Sequence, residues 1–134
     1  MGVAPFSATP AAQSTTLAAA QVASESASIV RPIPRSGETL PVIGMGTWLT
    51  FDIGSSAFEL ARRRQVLQAF FAAGGRVIDS SPMYGRAETV VGELLAQLGA
   101  GTAAFAATKV WTTGRARGEH QIEDSLRLWR RQKL

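Results

Sequence analysis

The sequence predicts an α/β fold built on a parallel sheet, and three observations carry that expectation. Short apolar segments end near Gly46, Asp79 and Lys109, at intervals of 33 and 30 residues, the length of one strand plus one returning helix. The stretches between them space their apolar residues as helices do, and the first two are stopped by glycine. The strand segments are short and apolar, as strands covered on both faces are.

The elements follow in order. Residues 1–30 contain no Lys or Arg and little besides Ala, Ser, Thr, Val and Gln. They hold no sustained period and too few bulky apolar residues for a core, so residues 1–31 read as a flexible leader before a domain over 32–134. A secretory signal wants a basic start and about 7–15 apolar residues. The basic residues are absent and the apolar patch Leu17–Ala20 is short, which favours a cytoplasmic protein over an exported one. A hairpin is expected next, Pro32–Arg35 against Thr39–Pro41 around Ser36-Gly37. Val42–Met45 reads as a strand. Ser56 with Glu59 three residues on is a capping box, opening a helix whose apolar face holds Leu60, Val66, Leu67, Phe70 and Phe71. Gly74-Gly75 ends it. Arg76–Asp79 contains a strand, Glu88–Leu98 a helix with Val91, Leu94, Leu95 and Leu98 on one face, and Thr102–Val110 a third strand. Gly118–Arg131 is a third helix, expected to bury Ile122, Leu126 and Trp129.

Composition narrows the chemistry. The 134 residues contain no Cys and one His, which excludes disulfide scaffolds, thiol catalysis and sites built from two histidines. No apolar run reaches the ~18 residues of a membrane span. The net charge of +4 comes entirely from residues 109–134, with seven Lys/Arg against three Asp/Glu. The plain reading of that basic end is the solvated face of a helix, although it could also meet an acidic partner.

Ligands of parallel α/β folds bind at the carboxyl ends of the strands. There the sequence places Gly46, Thr47 and Trp48, then Asp79 with Tyr84 five residues later, then Lys109 followed by Trp111. If the strands are neighbours, Asp79, Tyr84 and Lys109 share one rim. A phenol has an ordinary pKa of about 10. A nearby ammonium favours the phenolate, and a carboxylate beside the ammonium keeps it charged and fixed. A tyrosine so placed can deliver a proton to a developing alkoxide. Taken singly, each residue has a plainer role. Asp79 could cap a loop, Tyr84 could be a core-edge aromatic, and Thr47 and Trp48 could be packing residues. Arg62–Arg64 reads as a solvent face and His120 as a surface residue of the third helix. No GxGxxG or Walker pattern is present.

These residues resemble the aldo/keto reductase family. The segment GRVIDSSPMYGRAETVVG, Gly75 to Gly92, is similar to that family's signature. LPVIGMGTW (Leu40–Trp48) resembles its first barrel strand and FAATKVW (Phe105–Trp111) its third. The resemblance implies the N-terminal portion of a (β/α)₈ TIM barrel, about three of eight βα units preceded by a hairpin that closes the barrel's bottom. It implies hydride transfer from NADPH, less often NADH, to a small aldehyde or ketone, with no nucleic acid and no membrane involved. By the same resemblance Tyr84 would be the general acid and Lys109 would lower its pKa. Asp79 would pair with Lys109 and contact the nicotinamide ribose. Gly46 and Thr47 would lie against the cofactor, and Trp48, Tyr84 and Trp111 would face the substrate.

The chain departs from the family at its end. The family's fourth catalytic residue is a His after the fourth strand, and the chain stops before that strand. His120 cannot replace it, because it lies in the preceding helix. A full barrel takes about 250 residues, and residues 32–134 supply three of eight strands. The expectation is therefore a fragment of a carbonyl-reducing oxidoreductase, inactive alone. The alternative is a non-catalytic interaction module that keeps the motif by descent.

Overall fold

Two sheets organise the computed structural model, which describes Met1, residues 29–101 and residues 103–134. In the first, β1 (Val30–Pro32) pairs antiparallel with β2 (Thr39–Pro41), with Arg31 opposite Leu40. The turn falls where Ser36-Gly37 predicts it, closed by Gly37 N–H donating to Ile33 O at 2.8 Å and Ile33 N–H donating to Glu38 O at 2.8 Å. The first strand, however, is Val30–Pro32 and not Pro32–Arg35. Pro34 has no N–H to give to a ladder, so residues 34–36 form the turn and the pairing moves earlier. Val30 and Arg31 therefore belong to the hairpin, while the expected leader over residues 2–28 lies outside the described residues.

The second sheet is parallel, in the order β3 (Met45–Gly46), β4 (Val77–Asp79), β5 (Phe105–Ala107). Gly46 lies opposite Asp79, and Asp79 opposite Ala107. The expected strand at Val42–Met45 starts later, because Val42 N–H still donates to Ile29 O (2.9 Å) in continuation of the hairpin. The third strand is likewise shorter than its apolar run. Ala103 and Ala104 still donate to Ala100 O, and pairing begins at Phe105.

Each strand feeds a helix: α1 (Ala57–Ala72), α2 (Ala87–Gln97) and α3 (Arg115–Leu128). Ser56 caps α1 and accepts from Glu59 N–H at 3.5 Å. Leu67 is buried, and Leu60, Phe70 and Phe71 pack against the core, but Val66 is exposed. In α2 Val90, Val91, Leu94 and Leu95 are all buried, forming the apolar face that lies over Ile78 and Ala106 of the sheet. Phe51 and Ile53, from the loop after β3, complete this core.

The third helix begins three residues before its predicted start and ends before Trp129, which is buried just beyond it. Ile122, expected inside, is 39% exposed. The reason is that α3 meets α2 through its C-terminal half, at Ser125, Leu128 and Trp129. Gly92 permits this approach, since a Cβ there would lie 2.0 Å from Leu128 O. Gly92→Ala should therefore force α3 off α2, at a cost of about 1–3 kcal/mol. Trp129 is buried while Trp48 and Trp111 are exposed, so the variant's emission should lose its quencher-protected component. Unchanged quenching would show that the two helices do not meet this closely.

Candidate active site

The sheet register creates the site. Because Gly46, Asp79 and Ala107 lie in one row, the three strands end at one rim, and the residues just past them converge there. Two bonds extend the pairing beyond the strands: Thr47 N–H donates to Asp79 O (3.1 Å) and Ser80 N–H to Ala107 O (2.9 Å).

Lys109, two residues past β5, reaches back to β4. Its Nζ donates to both oxygens of Asp79, Oδ1 at 2.9 Å and Oδ2 at 2.7 Å, and to Ser80 O at 3.0 Å. The same nitrogen stands 5.1 Å from the centroid of the Tyr84 ring, within the range where a ring's π-face attracts a cation. The Trp48 ring also lies 6.1 Å from that of Tyr84, inclined by 33°. The structure thus brings Asp79, Tyr84, Lys109 and Trp48 together. Trp111 is exposed two residues beyond Lys109, its backbone N–H donating to Gln121 Oε1 at 2.5 Å. Gly46 faces open space, for a Cβ added there would meet nothing within 4 Å.

Thr47 follows β3 directly. It is fully buried, and its hydroxyl donates to Asp79 O (3.0 Å) and accepts from the Ser80 hydroxyl (2.8 Å). It ties the ends of β3 and β4 together.

Burial draws the Lys109 pKa down, but the hydrogen bond and charge of Asp79, with a further contribution from Tyr84, outweigh it and hold the group above its ordinary 10.5. The ammonium is therefore charged at neutral pH. The pair is accessible, Lys109 at 38% and Asp79 at 47% side-chain exposure, so its net contribution to stability is small.

Sequence reasoning missed two carboxylates. Glu88 is 2% exposed and accepts from Thr108 Oγ1 (2.5 Å), Ser125 Oγ (3.0 Å) and Trp129 Nε1 (3.1 Å). Its position three and seven residues before Val91 and Leu95, on the apolar face of α2, was the signal that it is buried. Asp52, in the loop after β3, accepts from Arg86 N–H at 2.9 Å. His120 is exposed beside Glu123 and Asp124, as its surface reading requires. Within the basic end, Arg115 pairs with Glu119 and Arg127 with Asp124 along α3, each at 2.7 Å. An apolar groove of about 280 Å³, lined by Ile29, Val42, Ile43, Phe70 and Ala73, lies at the amino ends of the strands, away from this cluster. Among the described residues no helix is long and apolar enough to cross a membrane.

Three parallel βα units carry a lysine–carboxylate pair and a tyrosine on their carboxyl rim. Residues 42–133 match the model of the aldo/keto reductase family, and the chain belongs to that family. Solved structures agree. A protein from Pseudomonas aeruginosa described as an aldo-keto reductase superposes with a TM-score of 0.64 at 24% identity, over 76% of this chain and 43% of that one. An aldo/keto reductase from Klebsiella pneumoniae, solved with NADP and acetate, gives 0.59 at 29% identity, over 71% and 33%. The thermostable aldo-keto reductase Tm1743, solved with the inhibitor epalrestat, gives 0.64 at 22%, over 77% and 39%. No curated protein matches the sequence. The chain thus spans between a third and just over two fifths of these structures, and its fold is a hairpin and three βα units of the family's (β/α)₈ barrel.

The ion pair is directly titratable. A raised folded-state pKa means that the Lys109 contribution is complete below the unfolded value of 10.5 and is lost as pH rises through the folded-state value. An NMR titration of Lys109 Cε should therefore show a midpoint above 10.5, moving down in Asp79→Asn. A midpoint below 10.5 in the unaltered chain would mean that Asp79 does not hold the ammonium.

Proposed function

We propose that this chain supplies the proton-donating part of an NADPH-dependent reductase of small aldehydes or ketones. The observation that carries the reading is that Lys109 Nζ sits on both oxygens of Asp79 while standing over the Tyr84 ring at 5.1 Å.

When bound, NADPH supplies the hydride that reduces the carbonyl carbon. The chain's residues manage the proton. Tyr84 Oη donates to the carbonyl oxygen as alkoxide character develops, giving the alcohol. The Lys109 ammonium stabilises the negative charge left on the phenol oxygen, and Asp79 keeps that ammonium charged and aimed. Trp48 and Trp111 offer apolar walls to a small substrate.

The residues present fit one end of the cofactor. Gly46 leaves the rim open where a side chain would stand, and the half-exposed carboxylate of Asp79 can accept from a ribose hydroxyl. Thr47 serves by holding Gly46 and Asp79 in register. The NADP complex of the Klebsiella protein, at 29% identity, supports the choice of cofactor. The rest of the dinucleotide and the catalytic His of the resemblance belong to strands that have no counterpart among the described residues.

Two measurements test this. Titrated with NADPH and followed by fluorescence quenching, the 134-residue chain should bind weakly or not at all; micromolar binding would contradict the assignment of most of the cofactor site to other strands. In a barrel completed by the remaining βα units, Tyr84→Phe should lower kcat by about 10²–10⁴-fold, the contribution of a positioned general acid. Near-normal turnover would remove Tyr84 from this role.

A further inference from the structure

We infer that Asp52 is a positioning residue, a carboxylate clamp that docks the Trp48 loop onto the Tyr84 turn and so sets where the Tyr84 ring stands. Its catalytic consequence rests on the reading of Tyr84 as proton donor; the clamp itself does not.

The Tyr84 turn is closed by bonds of its own, Tyr84 N–H to Ser81 O and Ala87 N–H to Tyr84 O, each at 2.9 Å, but these leave the Arg86 donor between them unused. Tyr84, Gly85 and Arg86 lead into α2, whose cap residue Arg86 makes no side-chain capping bond. The first N–H groups of a helix lack partners within it. Here the Arg86 N–H finds one 34 residues away in sequence, Asp52 Oδ1, at 2.9 Å. The negative carboxylate also suits the positive end of the α2 dipole.

Gly85 is shaped to this contact in two ways. Its φ of +54° is the left-handed region, which glycine enters at little cost. A Cβ there would also lie 2.3 Å from Asp52 Oδ1 and 2.5 Å from its Cγ and Oδ2. The carboxylate thus occupies the space that a side chain at residue 85 would fill.

Asp52 is itself firmly placed. Its neighbours Phe51 and Ile53 are both in the core, so the backbone between them has little freedom. Phe51 N–H donates to Thr47 O at 3.0 Å, and Arg63 Nε donates to Thr50 O. The loop needs such fixing, because Leu49 adopts φ +58°, a conformation that costs a bulky residue energy and persists only where surrounding contacts impose it. The same loop carries Trp48, whose ring lies 6.1 Å from that of Tyr84. One carboxylate therefore joins the loop bearing the aromatic wall to the turn bearing the phenol.

The clamp is tested by hydrogen–deuterium exchange, read by mass spectrometry in peptides covering Arg86, for the chain and for Asp52→Ala and Asp52→Asn. Arg86 is exposed, so its amide protection reports this bond. Asp52→Ala should speed Arg86 exchange roughly five- to tenfold, the size of a lost cap, while Asp52→Asn, whose amide oxygen still accepts, should stay within about twofold. Peptides covering Ser80 and Phe105, bonded across β4 and β5, should not change. Unaltered Arg86 exchange in Asp52→Ala overturns the clamp. If Asp52→Ala speeds exchange everywhere, Asp52→Asn decides: protection kept at Arg86 supports the clamp, and protection lost overturns it. In the completed barrel, Asp52→Ala should lower kcat in the Tyr84 protein and add nothing in a Tyr84→Phe background. A further loss in that background would show that Asp52 acts by another route. If Tyr84→Phe alone leaves turnover intact, the proton-donor reading fails while the exchange result still decides the clamp.

Discussion

The parallel pairing of β4 with a strand on each side is the constraint from which the rest follows. It sets Gly46, Asp79 and Ala107 in one row and ends three strands at a single rim. The Lys109–Asp79 pair depends on this arrangement and does little to create it. Both partners are substantially exposed, and such pairs contribute about 0–1 kcal/mol. The apolar face of α2 over Ile78 and Ala106 supplies the burial, each large side chain being worth about 1.5–3 kcal/mol when fully covered. The ionic contact is therefore free to serve chemistry.

Much of this arrangement was legible in the chain. Spacings of 33 and 30 residues between strand ends carried the parallel topology, because a returning helix has a narrow range of lengths. The cluster of Asp79, Tyr84 and Lys109 followed from topology, since the carboxyl ends of neighbouring parallel strands must meet. Boundaries were less legible. The Val42–Met45 run is apolar throughout, and nothing in its pattern tells a hairpin continuation from a parallel strand. Ile122 matches the helical period of Trp129, yet periodicity reports which residues share a face and not how far the neighbouring helix extends along it. Asp52 was not legible at all. Its partner is a backbone N–H 34 residues away, and backbone donors carry no signature in the sequence. Glu88 left a trace, a carboxylate within an apolar stripe, but the three donors that satisfy it lie on other elements.

The residues around the rim divide by what they touch. Trp48 is exposed, and Tyr84, Lys109 and Asp79 are partly exposed. Beside them stand polar groups whose partners are within the chain, Thr47 and Glu88 buried and Asp52 exposed. Thr47 holds Asp79 O and Ser80, Asp52 holds the turn after Tyr84, and Glu88 holds Thr108, the residue before Lys109. Removing one partner of a buried hydrogen bond strands the other, at about 1–3 kcal/mol, whereas an exposed group is rescued by water. Thr47 and Glu88 are therefore costly to lose from the fold, and the exposed rim residues much less so. The divide also explains why the short signature from Gly75 to Gly92 carries so much. It holds the strand that fixes the register, the tyrosine, the glycine that admits Asp52, the buried Glu88, and the Gly92 that lets α3 approach. These contacts all depend on one segment of backbone, so a change of register within it would displace the phenol, its clamp and the helix behind it together.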